Sequence, residues 1–228
     1  MDEVVTLGRA ESDRGEVLLR RRGTGAYAVE ELVVNGTFAM DSTETHSERE
    51  LGRLAGGAPR VLIGGLGLGW TVAAVLDEAD RLGLEVQVDV VELEAALVAW
   101  AREGRTPTLA RAATDPRVRL HVGDVAAVLA RRGGPAGPWD AILLDVDNGP
   151  DFLIHAQNDA LYTEPALREA YDRLAPGGLL AIWCQAPSPP LLAALRTVDA
   201  SAEEHRHRVS REGRTFTYAI EVLRRPPA

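Results

Sequence analysis

A chain of 228 residues, 46% hydrophobic and 26% charged, is long enough for one large core with a small appendage, but hardly for two cores. Its formal net charge of −9 argues against nucleic acid as the main partner, since phosphate binding needs a basic face. The basic clusters Arg20-Arg21-Arg22 and Arg131-Arg132 read as a solvated strand end and a solvated helix end.

The acidity suits a cationic substrate. Cys184 is the only cysteine, so an internal disulfide is impossible and a reducing compartment is expected. No charged-then-apolar leader opens the sequence. The uncharged stretch Val61 to Leu76 is short for a membrane span and carries four glycines. These features predict a cytoplasmic protein with no membrane partner.

Residues 16–41 read as β structure. The segments 27–34 and 37–40 flank Asn35-Gly36, a two-residue hairpin signal that requires positive φ. A short helix is expected over 45–55, with Thr43 or Ser47 as its cap. Gly56-Gly57-Ala58-Pro59 then divides a small cap, residues 1–58, from the main unit, residues 59–228.

From residue 60 onward strands and helices alternate. Strands are predicted near 60–64, 87–92, 117–121, 139–145, 178–184, 203–210 and 215–223. Helices are predicted near 69–82, 94–103, 124–131, 164–174 and 188–198. Such alternation predicts an α/β, doubly wound, mainly parallel seven-stranded sheet, ending in an antiparallel hairpin and preceded by a small β-hairpin cap.

In such a sheet ligands collect beyond the carboxyl ends of the strands. Four strand ends carry usable chemistry. The first leads into Gly64-Gly65-Leu66-Gly67-Leu68-Gly69, where Gly65, Gly67 and Gly69 let the backbone turn sharply and meet a ligand with bare main chain. The second ends in Glu92, about 20 residues past the glycines, a spacing that suits the two hydroxyls of a ribose. The third gives Asp124, either an adenine contact or the N-cap of the following helix. The fourth gives Asp145, a base or amine-orienting carboxylate, with Asp147 following as either a second site residue or a turn former. Together they predict a nucleoside site.

The five histidines form no metal pattern, and no metal is expected. His205 and His207 share one face of a strand and read as exposed. Ser188 and Cys184 lack a recognisable base partner, which disfavours hydrolysis. Trp70 reads as packing, and Trp100 and Trp183 as core.

Several segments resemble the spermidine synthase (polyamine aminopropyltransferase) family within the class I S-adenosylmethionine-dependent methyltransferases. They are Arg60 to Gly69, Val91-Glu92-Leu93-Glu94, Arg117 to Asp124, Trp139 to Asp145, Leu161 to Glu164 and Leu174 to Ala181, with Glu44-Thr45-His46-Ser47-Glu48 similar to that family's opening. The resemblance implies that Glu92 holds the ribose, Asp124 and Val125 the adenine, and Gly65 to Gly69 the sulfonium tail. It further implies that Asp145 matches the family's catalytic aspartate, and that a homodimer forms.

The family's glycine turn usually carries an aspartate that binds the aminopropyl ammonium, and here Gly67 stands in its place. A buried ammonium without its carboxylate loses about 1.5–3 kcal/mol. The leading expectation is therefore methyl transfer from S-adenosylmethionine to an amine or hydroxyl of a small molecule. The alternative is aminopropyl transfer from decarboxylated S-adenosylmethionine to a diamine, with Asp145, Asp147 and Asp151 as an anionic channel. A non-catalytic nucleoside-binding module is the third reading.

Overall fold

The structure is a computed structural model that describes residues 4–146, 156–211 and 214–228. Four antiparallel strands open the chain in the order β1-β2-β3-β4: β1 (Val4–Ser12), β2 (Gly15–Arg22), β3 (Val29–Val34) and β4 (Thr37–Asp41). The expected hairpin is β3–β4, with Asn35 at φ 52° and Gly36 at φ 73°. The cap is larger than a hairpin, because β1 and β2 extend it. Strand β1 escapes sequence reading because most of its residues are exposed, so it shows no alternation of apolar and polar positions. The arginine cluster is paired rather than free in solvent: Arg20 and Arg22 bind Glu31, and Arg21 binds Glu30, across β2–β3.

Helix α1 (His46–Arg53) begins after Thr45, so neither Thr43 nor Ser47 is its cap. Thr43 instead bonds to the Asp41 carboxylate, donating from its backbone N–H at 2.9 Å and its hydroxyl at 2.5 Å. The buried face of α1, made by Ser47, Glu48, Leu51 and Gly52, packs on α2 (Trp70–Leu82). A Cβ at Gly52 would lie 2.6 Å from the Ala74 Cβ and 2.7 Å from the Thr71 carbonyl oxygen. Only glycine lets the two helices approach this closely.

The main sheet has the order β10-β11-β9-β8-β5-β6-β7. Strands β5 (Arg60–Gly64), β6 (Gln87–Glu92), β7 (Val118–Val122), β8 (Trp139–Leu144) and β9 (Leu174–Cys184) are parallel, and β10 (Glu203–Arg211) and β11 (Arg214–Arg224) close it as an antiparallel pair. Val61, Leu62 and Ile63, and Ala141 to Leu144 opposite them, are almost wholly buried, as expected of parallel strands covered on both faces. The connecting helices are α3 (Ala95–Arg102), α4 (Pro107–Thr114), α5 (Val125–Leu129), α6 (Glu164–Asp172) and α7 (Pro189–Val198).

Helix α4 is an addition to the sequence reading. Its signal was present: the Thr106 hydroxyl accepts the Leu109 N–H at 3.3 Å, and Pro107 occupies the first turn. The chain leaves β5 toward β6 and β7, then returns to place β8 on the other side of β5. That reversal opens a crevice above the ends of β5 and β8, where ligands of such sheets bind.

Candidate active site

The turn after β5 has Gly65, Gly67 and Gly69 at φ 88°, 49° and 86°. A side chain at Gly65 would collide with the Asp145 carbonyl oxygen, and the Asp145 N–H donates to the Gly64 carbonyl at 2.8 Å. The glycine here serves the close approach of turn to β8, which fixes the two strand ends relative to each other. At Gly67 a Cβ would lie 2.7 Å from the Met40 sulfur, which also accepts the Leu68 N–H at 3.3 Å. Strand β4 thus fills with a thioether the space that a side chain on residue 67 would take. Gly69 caps α2 against Thr108 and lies outside the cleft lining.

An open cleft of about 880 Å³, part of it continuous with solvent, lies above these ends. Its inner wall is Gly65, Gly67, Val91 to Glu94, Gly123 to Val125, Asp145 and Val146. Its outer wall is Leu32 and Val34 from β3, Ala39 and Met40 from β4, and Glu48 from α1. The front sheet therefore covers the sheet end, which is what gives the cleft its depth.

Glu92 is 6% exposed. Its Oε2 accepts the Leu66 N–H at 2.7 Å and its Oε1 accepts the Glu94 N–H at 2.7 Å. Burial pushes its carboxyl above the usual range, opposed by these backbone bonds. Each oxygen retains a lone pair for a further donor. Asp124 does cap α5, its Oδ1 accepting the Ala126 N–H at 2.8 Å, and it also lines the cleft. Val125 is buried beside it.

Asp145 is a half-buried residue at the end of β8, with its carboxyl group turned inside. Its Oδ2 accepts the Thr71 hydroxyl at 2.6 Å. Burial raises its pKa to about 6, and the Thr71 bond opposes that rise. Glu48 interacts with it from α1. The Glu48 pKa is raised to about 7, first by burial and then by the charge of Asp145, while the Ser47 hydroxyl at 2.7 Å partly offsets both. Both carboxyl groups line the cleft, near enough for the charge of Asp145 to act on Glu48.

Asp147 falls outside the described residues. Sequence reading missed Glu48 as a site residue, although an acid on the same helical face as Leu51 was a legible signal. Trp183, expected in the core, lines the cleft with Tyr218 beside it at 5.4 Å between ring centroids. It ends a buried strand, and periodicity alone does not separate a strand end from its core. Trp70 packs as expected, beneath the Arg49 guanidinium at 4.8 Å. His205 and His207 are half-buried rather than exposed, and the His207 ring meets His46 edge-on at 6.1 Å. No helix among the described residues is long and apolar enough to cross a membrane.

No protein-family model matches the chain. Among curated proteins, spermidine synthase 1 of Hyoscyamus niger is 35% identical over 107 residues, 47% of this chain and 31% of that one. Spermidine synthase of Solanum lycopersicum is 34% identical over 107 residues, 29% of its own length, and spermine synthase of Arabidopsis thaliana is 34% identical over 108 residues, 27% of its length. The chain spans about a third of the length of the curated relatives it matches. Among solved structures, a spermidine synthase bound to the transition-state analogue AdoDATO superposes with TM-score 0.69 at 15% identity, over 98% of this chain and 73% of that one. An O-methyltransferase from Bacillus cereus in complex with SAH superposes with TM-score 0.51 at 16% identity, over 80% of this chain and 82% of that one. These likenesses establish the α/β class I fold.

Proposed function

We propose that the chain is a spermidine-synthase-like member of the class I S-adenosylmethionine-dependent methyltransferase superfamily, and that it transfers an aminopropyl group from decarboxylated S-adenosylmethionine to an amine, a reading supported by its likeness to spermidine synthases. The observation that carries this reading is the charge of the cleft. Glu48, Glu92, Glu94, Asp124 and Asp145 all line it; Arg14 pairs with Glu94 at 2.7 Å, and none of the described lining residues is itself basic. The carboxylate of unmodified S-adenosylmethionine would meet like charge there without a cationic partner. A decarboxylated tail ending in an ammonium would instead be attracted. Glu48, supplied by the front helix, takes the part that Gly67 leaves open.

In this reading Glu92 receives the ribose hydroxyls, while Asp124 and Val125 border the adenine. Gly65 and Gly67 let the sulfonium tail pass against main chain. The amine nitrogen forms a bond to the methylene carbon next to the sulfonium. The carbon–sulfur bond breaks, its electron pair stays on sulfur, and a neutral thioether nucleoside leaves. The proton shed by the amine goes to Asp145, whose pKa, raised to about 6 by burial, suits a base near neutral pH, with Glu48 interacting with it from α1. Because the two acids interact, their titration belongs to the pair.

Methyl transfer is the second reading, supported by the absence of an acid in the glycine turn and by the Met40 thioether beside it. Product analysis separates the two. With an amine and each donor in turn, the proposal expects methylthioadenosine from the decarboxylated donor. S-adenosylhomocysteine from the carboxylated donor would replace it with methyl transfer.

A further inference from the structure

The turn that joins β1 to β2 is pinned by the neighbouring turn of the front sheet. Asn35, between β3 and β4, holds it twice: its Oδ1 accepts the Glu16 N–H at 2.9 Å, and its Nδ2 donates to the Arg14 carbonyl at 3.0 Å. Gly15, at φ 109°, permits this, since a Cβ there would collide with the Asn35 Oδ1. The Ser12 hydroxyl accepts the Arg14 N–H at 3.1 Å.

From this turn Arg14 reaches the loop after β6. Its Nε donates to Glu94 Oε1 at 2.7 Å and its Nη2 to the Leu93 carbonyl at 2.9 Å, while the Ser12 hydroxyl donates to Glu94 Oε2 at 3.3 Å. Glu94 is 5% exposed and occupies the N-cap of α3, yet its side chain makes no capping bond there. A carboxylate in that position ordinarily accepts an amide of the first helical turn. Here both oxygens bond to the front sheet instead.

The backbone N–H of the same Glu94 donates to Oε1 of Glu92 at 2.7 Å, and Leu93 and Glu94 line the cleft. A continuous chain of bonds therefore runs from Asn35 through Arg14 and Glu94 to the carboxylate of Glu92. The chain has an electrostatic side as well. The Glu94 charge raises the pKa of Glu92, and the Arg14 guanidinium offsets that charge.

We propose that Arg14, which lies outside the cleft lining, is a positioning residue for the ribose: through Leu93 and Glu94 it fixes the Glu92 carboxylate and so sets a preference for ribose over 2′-deoxyribose. This rests on the reading of Glu92 as the ribose acceptor. A carboxylate held in place is left with an unpaired buried oxygen when one hydroxyl is missing, and so rejects the deoxy sugar. One that can swing adapts to a single hydroxyl and discriminates less.

The test is calorimetric titration with methylthioadenosine and with its 2′-deoxy analogue. The wild type is expected to bind the ribonucleoside at least about tenfold more tightly. Arg14→Ala is expected to narrow that gap to about threefold or less, by weakening the ribonucleoside while the deoxy analogue stays within about twofold. Arg14→Lys keeps the charge without the fork of donors and is expected to fall between the two. Should Arg14→Ala unfold, Glu94→Gln decides the matter. It keeps the backbone amide on Glu92, weakens the bond to Arg14, and is expected to narrow the gap at least about twofold. A lowered melting temperature with the wild-type gap intact in these variants would make Arg14 a strut of the front sheet and overturn the proposal. A gap lost in Glu92→Ala but kept in Arg14→Ala would overturn the role of Arg14 and leave the ribose site standing. Equal affinities of the wild type for the two nucleosides would overturn the ribose reading and the proposal with it.

Discussion

The Thr71 hydroxyl, on the first turn of α2, donates a 2.6 Å hydrogen bond to Oδ2 of Asp145 at the end of β8. The same hydroxyl lies 3.4 Å from the backbone carbonyl of Glu48. One side chain thus ties the glycine turn's helix to both halves of the acid pair. The bond stabilises the charged form of Asp145 and holds its pKa below the value that burial alone would give.

Removing that bond moves the base. Thr71→Val keeps the shape and deletes the donor, so the acid limb of the kcat profile is expected to shift to higher pH. For the wild type that limb rises across about pH 6 to 7, as the pair loses its proton. A pH–rate profile of Thr71→Val that superposes on the wild type would show that Asp145 is not the titrating base.

Glu92 is expected to act in binding rather than in the chemical step. Its two oxygens hold the Leu66 and Glu94 amides and keep lone pairs for two ribose hydroxyls. Bonds to a charged group contribute about 1.5–3 kcal/mol each. Glu92→Ala is therefore expected to weaken nucleoside affinity by at least about tenfold. Calorimetry that returned an unchanged affinity would remove Glu92 from the ribose site.

Far from the cleft, Glu221 on β11 sits directly opposite Glu204 on β10 and is fully buried. Neither of its oxygens completes a hydrogen bond of normal geometry among the described residues. Burial, followed by the Glu204 charge, raises its pKa from 4.5 to about 8. The folded state therefore holds this proton more tightly than the unfolded chain does. The resulting stability is complete below pH 4.5 and is lost as pH rises toward about 8. Glu221→Gln imitates the protonated form, so its melting temperature is expected to exceed the wild type's at pH 8 and to match it near pH 4.5. Thermal melts in which the two proteins fall in parallel across this range would contradict the assignment.

Gly52 tests how the front helix is seated. Gly52→Ala introduces a methyl 2.6 Å from Ala74 and 2.7 Å from the Thr71 carbonyl. Overpacking of this kind costs about 1–3 kcal/mol, or about 3–10 °C in melting temperature for a domain of this size. Because α1 carries Glu48, amine affinity is expected to fall together with stability. A variant as stable as the wild type would mean that α1 and α2 can separate freely.

The sheet was legible in the sequence because buried parallel strands read as unbroken apolar runs, as in Val61-Leu62-Ile63 and Ile142-Leu143-Leu144. The glycine turn, Glu92 and Asp145 stood out as candidates because each ends an apolar strand, and Asp124 because it follows the alternating strand Val118-Arg119-Leu120-His121-Val122. Met40 and Trp183 were not, since each reaches the cleft through tertiary packing, one from the front sheet and one at the end of a core strand; for Glu48 the helical face was legible, but not that this face meets the cleft. The preference for methyl transfer rested chiefly on Gly67, together with the altered loop after Asp145 and Ala39 in the front hairpin. Whether an acid from elsewhere serves that place depends on how α1 packs over β8, and no local pattern encodes that.

The most direct test of the account is calorimetric titration of the wild-type protein with decarboxylated S-adenosylmethionine and, separately, with S-adenosylmethionine. An acidic cleft in which Glu48 and Asp145 interact predicts at least tenfold tighter binding of the decarboxylated form. Equal or tighter binding of the carboxylated form would contradict the account and restore methyl transfer as the reading of this site.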